Sequence, residues 1–110
     1  MIIEFRGWRC RVARLRYPNG RIALQLLTAD EDAAPVATAT VNVPEVPLAA
    51  DEVLIKDYAE NTGILAVLVQ VGIVAPTGRV VPVGFVQAPV CRLLIDLPVE
   101  SGPHPAPGQA

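Results

Sequence analysis

Residues 8–28, WRCRVARLRYPNGRIALQLLT, contain the pattern on which the fold depends. Tyr17-Pro18-Asn19-Gly20-Arg21 is a turn: proline presets φ, and Asn-Gly accepts the positive φ that a tight hairpin loop requires. Beyond it, residues 21–28 alternate, with Ile22, Leu24 and Leu26 on one face. Before it, the alternation changes phase. Trp8, Cys10 and Val12 share one parity, whereas Ala13, Leu15 and Tyr17 share the other. A strand with a single buried face cannot hold both sets, so a β-bulge near Val12 and Ala13 is expected. It would turn Arg9, Arg11, Arg14 and Arg16 outward as one solvent-exposed row.

The rest of the chain extends this hairpin. Residues 2–5 read as extended, with Gly7 as a break before the strand. Asp30-Glu31-Asp32 lies in an acidic loop, and residues 36–43 (VATATVNV) alternate as one half-exposed strand with Thr38, Thr40 and Asn42 on its polar face. Val53-Leu54-Ile55 reads as a short edge strand or an extended connection. Over residues 61–71, Ile64, Leu65, Leu68 and Val71 follow helical spacing, with Asn61 as N-cap and Gly72 as the residue beyond the C-cap. The β-branched content of ILAVLVQV leaves a strand as the alternative there. Residues 75–78 read as a turn, and residues 80–86 and 89–96 as a final strand pair around Gln87-Ala88-Pro89.

The fold class expected is therefore α+β, a single domain over residues 1–97. It comprises a mostly antiparallel sheet of five or six strands with one helix packed on one face. The expected core is Trp8, Cys10, Val12, Ile22, Leu24, Leu26, Val41, Leu65, Leu68, Phe85, Cys91, Leu93 and Ile95. The helix docks its Ile64, Leu65 and Leu68 stripe on the sheet. Residues 98–110 are proline-rich without apolar periodicity and read as a disordered tail.

With 110 residues, 52% of them hydrophobic, the chain suits one domain. No apolar run approaches the ~18–20 residues of a membrane-spanning helix. The N-terminal residues lack the apolar region of a secretory signal. A cytoplasmic protein without membrane association is expected. Cys10 and Cys91 read as buried thiols, and a disulfide between the first and last strands stays open.

Catalytic chemistry lacks its usual parts. The only serine, Ser101, and the only histidine, His104, both lie in the expected tail, which offers no framework for a nucleophile and its base. There is no CxxC spacing, no phosphate-cradling loop ending in Lys-Ser/Thr, and no calcium loop. The expectation is a non-enzymatic protein without cofactor or metal.

Charge carries the remaining signal. Arg6, Arg9, Arg11, Arg14, Arg16 and Arg21 face a single acid, Glu4, in the first 21 residues, giving that segment +5 against −7 for the remainder. Arg9, Arg11, Arg14 and Arg16, with Trp8, are the candidate binding residues. The row suits an acidic protein surface, nucleic-acid phosphates, or the chain's own carboxylates. Nucleic acid ranks below protein because the whole chain is acidic, with pI near 5.2, and only Trp8 and Tyr17 accompany the arginines. Trp8 is assigned to the core beside Cys10, with an interface anchor as the alternative. Val80-Val81-Pro82-Val83, if exposed, would be an association edge and favour a homodimer.

Several motifs together resemble an uncharacterised family of small bacterial proteins from plasmids, conjugative elements and phages. The resemblance covers about residues 6–95. It rests on Tyr17-Pro18-Asn19-Gly20-Arg21, the Thr40-Val41-Asn42 strand, Glu60-Asn61-Thr62-Gly63-Ile64, Thr77-Gly78-Arg79 and Gly84-Phe85. No activity comes with that family. The resemblance implies an accessory protein of a mobile genetic element. The expected function is inhibition of a bacterial host defence system, in the manner of an anti-CRISPR protein, by binding a host protein complex. A small nucleic-acid-binding regulator using the arginine strand is the alternative.

Overall fold

A computed structural model describes residues 1–100. The chain runs β1 (Ile2–Phe5), β2 (Trp8–Arg16), β3 (Ile22–Thr28), β4 (Pro35–Thr38), β5 (Thr40–Val41), β6 (Glu52–Ile55), a 3₁₀ turn (Ala59–Asn61), α1 (Ile64–Gln70), β7 (Val74–Val83) and β8 (Val86–Leu93). The class is α+β, and the strands within each sheet pair antiparallel. The single sheet of five or six strands is replaced by two four-stranded sheets, ordered β1-β2-β3-β4 and β5-β6-β8-β7. Val53, Leu54 and Ile55, expected at an edge or in a connection, belong to β6 in the interior of the second sheet.

The change of sheet falls inside the stretch read as one strand over residues 36–43. Ala39 is the crossover. Its N–H donates to Leu24 O of the first sheet at 2.8 Å, and its carbonyl accepts from Lys56 N at 2.8 Å, just past β6. The two flanking threonines, expected on an exposed face, are consequently buried. Thr40 Oγ1 lies 2.8 Å from the Tyr17 hydroxyl and accepts from Leu24 N at 3.2 Å. Burial of this hydroxyl thus leaves no unmet hydrogen bond.

The expected bulge in β2 is absent. β2 and β3 pair without a register shift from Cys10↔Thr28 to Arg16↔Ile22. The two phases of alternation are instead the two faces of one straight strand, and both bury apolar side chains. Cys10 and Val12 join Ile22, Leu24 and Leu26 in the main core, while Ala13, Leu15, Tyr17 and Ala23 cluster on the opposite face. The second sheet repeats the device. Val53, Ile55 and Cys91 enter the main core, and Val41, Leu54, Ala88 and Val90 form a third cluster behind it. Ile64 and Leu68 of α1 also join the main core, with Leu65 partly buried against it.

The helix is shorter than the expected 61–71 and is capped differently. Gly63, at φ +98, occupies the N-cap. The side chain that serves the free amides is Asp57, whose Oδ1 accepts from Gly63 N at 2.9 Å and Leu65 N at 3.1 Å. Asn61 is not the cap. It is buried and donates Nδ2 to Thr38 O at 2.7 Å. The C-terminal end follows the sequence: Gly72 takes φ +79, its N–H reaches Val69 O, and Ile73 N–H reaches Leu68 O. Leu68 and Ile73 meet in the core beneath this Schellman closure.

The last hairpin also departs from expectation. Residues 75–78 form no turn. β7 continues through them with a bulge, the register shifting between Pro76 and Val80, and Thr77 Oγ1 donates to Val90 O at 2.9 Å. The chain reverses at Gly84-Phe85, between the paired Val83 and Val86, rather than around Pro89. Phe85 is therefore at a loop tip and fully exposed, and Trp8 is 55% exposed; neither is in the core. Of the other expected core residues, Leu93 and Ile95 are partly buried against the main cluster. Val99 makes a parallel bridge to Arg14, and Glu100 N donates to Arg14 O at 2.7 Å. The rest of the expected tail, residues 101–110, lies outside the described residues.

Candidate interaction surface

The straight register of β2 divides the arginine row. Arg9 and Arg11 share a face with Ala13 and Leu15, while Arg14 and Arg16 lie on the face of Cys10 and Val12. Arg9 and Arg16 are exposed, whereas Arg11 and Arg14 are half-buried. Arg11 Nη1 pairs with Glu100 Oε2 at 2.5 Å. Arg14 Nη1 reaches Leu97 O at 3.5 Å, and its Nε is buried without a partner among the described residues. The single outward row is thus replaced by two pairs on opposite faces.

The flanking arginines are drawn into the fold as well. Arg6 Nη2 donates to Thr62 O at 3.1 Å with its guanidinium 5.5 Å from the Phe5 ring centre. Arg21 Nη1 donates to Val43 O at 2.8 Å, and its Nη2 to Val46 O. Arg79 does the same for the segment before β6, bonding Pro47 O and Glu52. The physical reason is common to all three. Irregular segments leave carbonyls without ladder partners, and guanidinium offers several donors in a fixed fork.

Exposed apolar surface concentrates elsewhere, on the distal half of the β7–β8 hairpin. Pairs Val80↔Pro89, Val81↔Ala88, Pro82↔Gln87 and Val83↔Val86 build an arm with which no third strand pairs, because β6 reaches β8 only from Val90 to Arg92. Val80 is 54% and Val86 37% exposed, and Phe85 crowns the tip. No charged residue occurs between Arg79 and Arg92. β7 is an edge strand, and Pro76 and Pro82 remove two of its backbone donors, which discourages strand addition there. The arm therefore offers side chains rather than a backbone ladder. Hydrophobicity alone would put Phe85 in the core, yet it is fully exposed. The signal that would have found it is Gly84, at φ +59, opening a two-residue loop between two valine-rich strands.

The thiols are chemically quiet. Cys10 and Cys91 are both free and fully buried in the main core. Burial raises the Cys10 pKa, and burial together with the Asp57 charge pushes Cys91 to about 11. Among the described residues no group of three His, Cys, Asp or Glu side chains is placed to hold a metal ion. No helix there is long and apolar enough to cross a membrane. Comparison with protein-family models, curated proteins and solved structures finds no match.

Proposed function

We propose that the protein is a non-enzymatic interaction module that docks on another protein through the β7–β8 arm. The observation that carries this reading is the full exposure of Phe85 at the tip of an uncharged arm. Burying such a ring in a partner contributes about 1.5–3 kcal/mol, and buried aromatic anchors dominate many interfaces. In the setting implied by the resemblance to mobile-element proteins, the partner is a component of a bacterial host defence complex whose working surface the arm occupies. The nucleic-acid alternative has less to draw on, because the arginines are split between two faces and several hold the chain's own carbonyls.

The test is phage plating on a defence-proficient host that expresses the wild type or Phe85→Asp. The wild type should raise plating efficiency, and the variant should lose that effect with an unchanged melting temperature. Equal activity of the two proteins would remove the arm from the mechanism. Retention of random DNA at low salt, lost steeply as salt rises, would replace this reading with the regulator.

A further inference from the structure

A second surface, separate from the arm, lies beside Trp8. Trp8 opens β2 opposite Phe5 in register, yet Phe5 is 5% exposed and the indole 55%. The two-residue loop joining them has positive φ at both Arg6 (+51) and Gly7 (+81), the geometry that matches the twist of paired strands. The indole therefore stands on a fixed strand end rather than on a long loop. Together with Pro35 and Val36 it walls a groove of about 390 Å³ whose remaining lining includes the carboxylates of Asp30 and Asp32 and no cationic side chain.

We propose that this groove receives a cationic side chain, arginine or lysine, from a basic segment of a partner protein. The charge is built in. Asp30 Oδ1 accepts from Thr28 Oγ1 at 2.7 Å and from the N–H groups of Asp32 and Ala33 at 3.1 and 3.3 Å. These bonds, the Thr28 hydroxyl first, hold the Asp30 carboxyl below its ordinary range, so it stays ionised at neutral pH. Asp30 Oδ2 and both Asp32 oxygens accept no hydrogen bond from the described residues.

The chain's own cations do not fill the groove. Arg9 lies on the opposite face of β2, and Arg6 is bonded to Thr62 O. An indole is the best aromatic platform for a cation, within roughly 6 Å of its centre. A guanidinium stacked on it can donate in its own plane to a flanking carboxylate. Apolar walls, an indole carried on a strand end and two carboxylates with no cationic partner among the described residues together select a basic side chain over an acidic or apolar one.

Trp8 is the only tryptophan, so its emission reports directly on the groove. The experiment titrates the protein with the blocked tripeptide Arg-Gly-Arg, and separately with Glu-Gly-Glu, in low-salt buffer. The basic tripeptide should produce a saturable change and the acidic one none. Asp32→Asn, which removes a carboxylate with no structural hydrogen bond, should weaken binding about tenfold. Trp8→Ala, followed by anisotropy of a labelled basic tripeptide, should weaken it several-fold. Phe85→Asp and the remote Glu45→Gln should leave binding unchanged, which separates this site from the arm and from general charge attraction. An unsaturable response, an equal response to the acidic tripeptide, wild-type affinity in Asp32→Asn, or an equal loss in Glu45→Gln would each overturn the proposal.

Discussion

Arg11 and Glu100 stand 89 positions apart in the chain, yet Nη1 of the one lies 2.5 Å from Oε2 of the other. The pair sits where β1 begins, at Ile2 opposite Arg11, and beyond it Val99 takes over the edge of β2 beside Arg14. Both side chains keep about a third of their surface in water, so the ion pair should contribute only ~0–1 kcal/mol. Arg11→Ala and Glu100→Gln should each lower stability within that range. A double-mutant cycle in urea should show a coupling that shrinks at high salt. Arg14→Met should cost less than ~0.5 kcal/mol or stabilise, because it keeps the apolar stem and removes a buried Nε that lacks a partner.

Asp57 and Asn61 should separate under mutation. Asp57→Ala leaves the amides of Gly63 and Leu65 unserved and should cost about 1 kcal/mol, with loss of helical signal. Asn61→Ala deprives Thr38 O of a buried donor, at about 1–3 kcal/mol. Hydrogen exchange would locate the two effects, at the start of α1 in the first case and along β4 in the second.

Stability should fall in alkali. Burial raises the folded pKa of Cys91 from 9.0 to about 11, so the thiol contributes its full stability below pH 9, where both states are protonated. Between pH 9 and 11 the unfolded chain ionises and the folded chain does not. About 2–3 kcal/mol is then lost as pH rises through that window. Tyr17, also raised by burial, adds to the loss above pH 10. Urea midpoints at pH 8, 9, 10 and 11 would trace the decline. Neither cysteine should react with a thiol reagent at pH 8 until the protein is unfolded.

Phe85→Asp and Gly84→Ala probe the arm in opposite ways. The first removes the exposed ring and should leave stability within ~0.5 kcal/mol while abolishing partner binding. The second keeps the ring but forces φ +59 on alanine and should cost about 1 kcal/mol. Thermal melts beside the plating assay distinguish them.

Much of the fold is legible where local chemistry decides it. Asn19-Gly20 marks its hairpin because Gly20 must adopt φ +86, and Gly72 marks the helix end for the same stereochemical reason. Alternation also reports faithfully which residues face together. It does not report how many faces are buried. Ala13 and Leu15 looked like a phase error to be repaired by a bulge, when both sides of β2 are covered. The crossover at Ala39 was hidden because VATATVNV alternates evenly through it, and only the partners Leu24 and Lys56 reveal two sheets. Among the candidate site residues, Trp8 and Phe85 were placed inside by hydrophobicity, although two-residue loops put both at hairpin ends. Clustered arginines announce charge. Whether that charge is spent on loop carbonyls depends on contacts distant in sequence, such as Arg21 with Val43.

Each of the two sheets is cut from one unbroken piece of chain, the first from residues 2–38 and the second from residues 40–93. Assembly therefore has a natural order. The first sheet is an up-and-down meander of neighbouring strands and can zip locally, on the microsecond scale of hairpins. Docking is the later event, because Cys10, Val12, Leu24 and Leu26 wait for Val53, Ile55 and Cys91 to cover them. Until then a half-formed molecule carries a naked greasy face, the state most exposed to clumping. A nick in the loop between β5 and β6 would leave two pieces, each holding most of one sheet, and mixing them should rebuild the native molecule.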